Sequence, residues 1–246
     1  MEQRKEICLE HVSFAYNETT ELLKDISFKA QGSESIGLIG ANGAGKSTLL
    51  KLLVGLCAPK SGSITVGGLP VEKQNLPKIR QMTGYVFQDS DSQLFLTTAY
   101  EDVSFAPRNY GFPKEEVERR TKEALELVHI SHLKDQPIYQ MSGGEKKLVS
   151  IATILSMEPE IVLMDEPSIA LDPRNRKNLI QILNRFSYLK VIASHDLDMV
   201  WDTCERTILL YNGKLEADGP THEILRDQAL LERCDLELPL RLEPGE

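Results

Sequence analysis

The run GANGAGKST, Gly40 to Thr48, fits the spacing G-x-x-x-x-G-K-[ST], with Gly40, Gly45, Lys46 and Ser47 at the required places. Such a loop binds phosphate because glycines let the backbone curl until successive N–H groups converge at the start of a helix. Asn42, Gly43, Ala44 and Thr48 belong to the same curl. Lys46 adds a full positive charge near the β- and γ-phosphates, and the Ser47 hydroxyl can ligate Mg²⁺. The flanks suit the device. SIGLIG (35–40) reads as a buried strand, and TLLKLLVGL (48–56) has the leucines of a buried helix. A strand that hands over to a helix through a phosphate loop belongs in an α/β chain.

The remaining chain agrees with that class. ICLEHVSF (7–14), LLKDISFKA (22–30), SITV (63–66) and TGYVFQ (83–88) read as strands. From about 99 to 132 the pattern is helical, with Val117, Ala124, Leu125 and Val128 near one face. Another helix is expected from Gly143, N-capped by Ser142. The strand IVLM (161–164), a helix over 173–187, the strand KVIAS (190–194) and strands near 206–217 follow. The tail from 221 is expected to hold one more helix, and LELPLRLEPGE to be frayed or docked on a partner. Repeated strand–helix alternation implies a largely parallel sheet, which the helical block at 99–155 interrupts as a subdomain.

Charge narrows the class of partner. With 28 Lys+Arg against 37 Asp+Glu, the net charge of −9 argues against gripping nucleic acid. It also disfavours direct binding to anionic lipid, so membrane attachment is expected to run through a protein partner. Four cysteines without CxxC spacing point to reduced thiols of a cytosolic protein rather than disulfides or zinc. The segment MEQRKEICLE lacks the apolar core of a signal peptide, and no run approaches the roughly 20 apolar residues that span a bilayer.

Two further motifs carry chemistry. IVLMDEP (161–167) sets Asp165 and Glu166 at the C-terminal end of a central strand, where α/β sheets place ligands. Neighbouring strand residues point to opposite sides, so the two carboxylates have different tasks. Asp165 can hold Mg²⁺, and Glu166 can polarise an attacking water. MSGGEKKLVSIA (141–152) puts Ser142, Gly143 and Gly144 at the head of a helix, a second anion-binding terminus. Two such termini in one chain suggest that they meet across a dimer.

This set resembles the ABC-type ATPases, the motor subunits of membrane transporters, over about residues 7 to 220. The resemblance implies an α/β phosphate-loop NTPase core with a mainly parallel sheet, an N-terminal antiparallel β-subdomain and an inserted helical subdomain. On this reading 1–88 and 157–220 form the catalytic core, 89–156 the helical subdomain and 221–246 a C-terminal helix and tail. It implies further roles. Tyr16 would stack on adenine, Gln88 would reach Mg²⁺ and the attacking water, Asp172 would be the acid of the dimer-crossing loop SIALDP (168–173), and His195 would contact the γ-phosphate.

FQDSDSQLF (87–95) and TTAYEDVSFAPRNYG (97–111) are similar to the cobalt-type, energy-coupling-factor branch, whose members import metal ions such as cobalt or nickel, or vitamins. The branch implies that residues about 88–111 receive a membrane subunit at the cytoplasmic face, with Leu94, Phe95 and Phe105 at that contact or in the core. A second ATPase subunit, identical or paralogous, is implied as well. Three positions depart from the usual pattern. Glu145 stands for Gln, Leu148 for Arg (removing an expected helix-surface salt bridge), and Ser90 for Pro, which is expected to loosen the loop after Gln88. One competing reading is an ABC ATPase of a different importer or exporter branch, against which only 87–111 weighs; the competitor from another class is an ABC protein acting on DNA or ribosomes. The 95 positions between Ser47 and Ser142 leave no room for a long coiled coil, and one ATPase domain is present where ribosome-acting members usually have two.

Overall fold

The computed structural model describes residues 5–17 and 20–242. In chain order the first elements are β1 (Glu6–Phe14), β2 (Leu23–Gln31), β3 (Ser35–Ile39), α1 (Lys46–Leu53), β4 (Ser61–Val66), β5 (Leu69–Pro70) and α2 (Leu76–Met82). Then come β6 (Thr83–Val86), α3 (Ala99–Asn109), α4 (Lys114–Leu127), α5 (Gly143–Leu155), β7 (Ile161–Asp165) and α6 (Pro173–Arg185). The last are β8 (Leu189–Ala193), α7 (Leu197–Thr203), β9 (Arg206–Tyr211), β10 (Lys214–Pro220), α8 (Thr221–Ile224) and α9 (Gln228–Arg233). They fall into two compact units. One comprises 1–83, 160–166 and 187–246, and the other 84–159 and 167–186.

In the first unit β2, β1, β4 and β5 lie side by side in an antiparallel sheet, with Ile7 opposite Ala30 on one side and Val66 on the other. Period-two alternation sets its inner face: Ile7, Leu9, Val12 and Phe14 are buried. The second sheet of this unit runs β10-β9-β3-β8-β7. β3 pairs in parallel with β8 and β9, and only β10 is antiparallel. Residues 35–39, 161–165 and 189–193 are buried throughout, because a parallel sheet is covered on both faces. Gly37 shows how closely: a Cβ there would lie 2.4 Å from Val200 of α7.

The second unit packs α3, α4 and α5 on one another. Gly111 (φ 77°) and Pro113 divide the helical stretch into α3 and α4, since the left-handed turn and the proline end one helix and open the next. Pro167–Phe186 lies in this unit, whereas the sequence reading grouped it with 157–220. Its loop is packed on the head of α5: a Cβ on Gly144 would come within 2.9 Å of the Ala170 carbonyl.

The expected α/β architecture is therefore present, with three local differences. α2 was not expected, because seven residues burying only Ile79 and Met82 are too short to display a helical period. The tail holds two short helices, α8 and α9, rather than one. Its end docks on α7 of its own unit, where Arg241 binds Asp198 at 2.7 Å and Asp202 at 2.7 and 2.8 Å; residues 243–246 lie outside the described residues. No helix among the described residues is long and apolar enough to cross a membrane.

Candidate nucleotide site

The phosphate loop closes β3 and opens α1 through backbone that only glycine adopts easily. Gly40 (φ 149°) passes so close to β9 that a Cβ would lie 2.3 Å from the Leu210 carbonyl. Gly45 (φ 102°) is the N-cap of α1, with no side chain capping the helix and no acidic residue in the first turn. An uncapped terminus of this kind has orphan N–H groups of the sort that bind anions. Lys46 is buried, and its ammonium donates to the Gly40 carbonyl at 2.6 Å and to that of Ala41 at 3.2 Å. Burial pushes its pKa down, while the nearby Glu166 and Asp165 carboxylates pull it up.

The strand β7 brings both acids to the same end of the sheet. Asp165, its last residue, accepts a hydrogen bond from the Ser47 hydroxyl at 2.8 Å. A carboxylate beside a hydroxyl is a hard oxygen donor set, and it fits Mg²⁺. Glu166 takes φ 49°, a left-handed conformation that ends the strand, and its backbone N–H donates to the Ala193 carbonyl at 2.8 Å. Its carboxylate goes to different partners from that of Asp165. One oxygen, Oε2, accepts from the Ser194 hydroxyl at 3.3 Å and the His195 N–H at 3.2 Å, and lies 2.8 Å from His195 Nδ1. Glu166 is buried while His195 is exposed, so the pair spans the wall of the site.

Tyr16 exposes 64% of its surface, with its hydroxyl 3.0 Å from Thr48 Oγ1 and its ring edge-on to Phe14. It borders a cavity of about 450 Å³ that Leu22, Asn42, Gly43, Tyr211 and Asp235 also line. Tyr211 and Asp235 were missed from the sequence, because no local pattern connects a strand end or the tail to the phosphate loop.

The other candidate residues belong to the second unit. Ser142 caps α5 in a capping box, accepting from the Glu145 N–H while the Glu145 carboxylate accepts from the Ser142 N–H and hydroxyl, both at 2.8 Å. Gly143 and Gly144 follow in the first turn. Asp172 caps α6 with its side chain alone, accepting from the Asn175 N–H at 2.9 Å and from Asn175 Nδ2 at 2.8 Å. Gln88 is exposed, and its backbone carbonyl accepts from Lys147 Nζ at 2.7 Å. Lys147 drew no notice in the sequence, where it is one lysine among several on a helix.

The loop after Gln88 is not loose. Ser90 is buried in a short 3-10 turn that Asp89 caps, and Lys146 binds Asp91 at 2.6 Å, so side-chain bonds replace the rigidity of a proline. Leu148, where an arginine was expected, is a buried apolar residue of α5. Leu94 is 7% exposed and belongs to the core, whereas Phe95 (65%) and Phe105 (42%) meet edge to face at 5.0 Å on the surface.

A family model described as ABC transporter matches residues 23–169. A putative ABC transporter ATP-binding protein of Geobacter sulfurreducens is 49% identical over 228 residues, covering 93% of this chain and 92% of the relative. The energy-coupling factor transporter ATP-binding protein EcfA of Methanothermobacter thermautotrophicus is 43% identical over 236 residues, covering 94% and 76%. Among solved structures, cbiO1 of Clostridium perfringens, part of the ABC transporter complex cbiONQ, superposes with a TM-score of 0.82 at 33% identity, covering 97% of each chain. With a phosphate loop, a strand-end acid pair and a glycine-headed second helix in place, the chain belongs to the ABC transporter ATP-binding family and is an ATPase.

Proposed function

We propose that the chain is the ATP-hydrolysing subunit of an energy-coupling-factor importer that takes up cobalt or nickel ions or a vitamin. It would work as a dimer with an identical or paralogous ATPase subunit, held peripherally at the cytoplasmic face of the membrane by integral membrane subunits. On this reading the N–H groups of Gly43 to Thr48 and the Lys46 ammonium bind the phosphates, with Gly40, Asn42 and Ala44 shaping the loop. Tyr16 stacks on the adenine. Ser47, Asp165 and Gln88 are the oxygen donors for Mg²⁺, which when bound neutralises charge building on the β- and γ-phosphate oxygens.

Glu166 takes the proton of the attacking water on Oε1. Ser194 and the two donors of His195 hold the other oxygen, Oε2, and so fix the direction in which Oε1 points. His195 contacts the γ-phosphate, and the partner copy's Ser142-Gly143-Gly144 terminus closes over it. Closure of the dimer pushes on the membrane subunit, and hydrolysis reopens it.

The observation that carries the importer reading is the exposed Phe95–Phe105 pair inside 88–111. Exposed aromatics in contact make a natural anchor for a partner helix, and truncating such an anchor typically costs about 2 kcal/mol or more. Phe95→Glu should therefore release the membrane subunit in a pull-down while nucleotide affinity of the same variant stays unchanged. Loss of both would assign Phe95 to the fold. Retention of both, repeated at Phe105 and Tyr110, would place the docking surface elsewhere and remove the support for this branch.

A further inference from the structure

Lys147 is the largest side chain among the fully buried residues, at 1% exposure, and the mechanism above makes no use of it. Its ammonium donates to the Phe87 carbonyl at 3.0 Å and to the Gln88 carbonyl at 2.7 Å. A charged donor is costly to bury, and it is retained where it satisfies acceptors that nothing else reaches. The neighbouring contacts make the same connection. The Phe87 N–H donates to Gln93 Oε1 at 3.0 Å, and Gln93 Nε2 donates to the Ser150 carbonyl and to Thr153 Oγ1, each at 2.8 Å. Lys146, Lys147, Ser150 and Thr153 all lie on α5, so one helix holds the segment 87–93 at the Phe87 and Gln88 carbonyls, at Asp91 and at the Gln93 side chain, which in turn accepts from the Phe87 amide. The same helix carries Ser142, Gly143 and Gly144 at its head, while the Gln88 side chain is exposed.

We propose that Lys147 is a positioning residue for Gln88, whose buried ammonium fixes the backbone of Gln88 to α5 so that the Gln88 side chain and the Ser142–Gly144 terminus are set as one body. The proposal rests on the metal role given to Gln88 above. A methionine at position 147 fills most of the space and leaves both carbonyls without their donor. The backbone at Gln88 then gains freedom, and a metal ligand on that backbone is held less well.

The test uses the purified full chain and reads ATP affinity by calorimetry, once with Mg²⁺ and once with a chelator. Lys147→Met should cut the gain in affinity that Mg²⁺ brings by about tenfold, as loss of a supporting contact behind a metal ligand commonly does. Metal-free ATP affinity should stay within about twofold, and Gln88→Ala should lose the same gain. The double variant should lose no more than either single one, since the two act in series. Lys147→Gln, which keeps N–H donors on a slightly shorter arm, should recover most of the gain and serves if the methionine variant does not fold.

A full Mg²⁺ gain in Lys147→Met, or losses that multiply in the double variant, would overturn the proposal. Hydrogen exchange separates the two assumptions. Amides of 87–89 should exchange faster in Lys147→Met, and unchanged exchange there would refute the hold itself. Gln88→Ala with its full Mg²⁺ gain would instead refute the metal role of Gln88, and the functional half of the proposal with it.

Discussion

The heads of α1 and α5 use one physical device in opposite ways. Both are helix N-termini preceded by or opening on glycine, with the partial positive charge that such ends carry. The head of α1 is left open: Gly45 offers no side-chain cap, the first turn has no acid, and a lysine stands beside the free N–H groups. The head of α5 is closed on itself, with the Ser142 hydroxyl on the Glu145 N–H and the Glu145 carboxylate on the Ser142 N–H and hydroxyl. The first terminus is ready for phosphate in the single chain. The second already has the Ser142 N–H and hydroxyl on an internal carboxylate, which suits the proposed role of a group that engages only when another subunit brings the nucleotide.

Holding the second terminus on its ligand gives the largest expected effect. Glu166→Gln keeps shape and hydrogen bonding but removes the base, so turnover should fall about a thousandfold, within the usual range for a general base. ATP should still bind, and the closed dimer should persist as an ATP-dependent shift in gel filtration. Turnover near the wild-type value would end the assignment of Glu166.

The next effect sets the two heads against each other directly. Lys46→Ala should weaken ATP binding about a hundredfold, the scale of a charge-assisted contact to phosphate. Ser142→Ala should leave the affinity of the single chain within about twofold, because on the proposed reading the head of α5 meets only the nucleotide that another subunit brings. Calorimetry on both variants checks this, and equal losses would break the contrast between an open and a closed terminus.

A smaller change tests the internal acceptor. Glu145→Gln keeps one half of the capping box and removes a negative charge from a helix head, worth about 0.3–1 kcal/mol there. The ATP concentration needed for dimerisation should drop about two- to fivefold, the same energy expressed as a binding ratio. A rise would mean that the carboxylate helps closure rather than competing with it.

The smallest effect distinguishes the second unit by its acid response. The hydrogen bonds of Arg119 and then Arg120 hold the Glu116 carboxyl at a pKa of about 2, below its ordinary 4.5. A depressed carboxylate stabilises the fold above its unfolded pKa, and that contribution is lost as pH falls from about 4.5 towards 2. The cluster lies at the surface, with Arg119 exposed and Glu116 and Arg120 half-buried, so the effect is screened by salt and modest. Thermal melts between about pH 5 and 3 should decline less steeply for Glu116→Gln than for the wild type. Parallel curves would show that Glu116 has no part in the acid response.

What could be read ahead of the fold follows the distance between partners along the chain. The phosphate loop is nine consecutive residues, and the Ser142–Glu145 capping box closes over three positions. The strand IVLM and the acid pair after it are likewise contiguous. The contacts that make these pieces a site are long-range: Ser47 to Asp165 across 118 positions, Tyr16 to Thr48 across 32, Glu166 to Ser194 across 28. Leu94 and Phe95 show the same limit at one step. Both are apolar neighbours after Gln88, yet one is core and the other surface, and no spacing rule separates them.

The sequence by itself determined that Gly40–Thr48 has the spacing of a phosphate loop, that acids stand at a strand end, and that a second glycine-headed helix exists. Those features depend on backbone angles and hydrogen bonds among residues a few positions apart, which covalent geometry keeps together in any context. Only the tertiary structure decided that Glu166 faces His195, that the tail returns to α7, and that Lys147 is spent on the carbonyls of Phe87 and Gln88. A lysine on a helix looks the same in sequence whether it meets water or a buried carbonyl. The packing of α5 against a segment some 60 residues earlier is what removes the water and leaves the carbonyls as its partners.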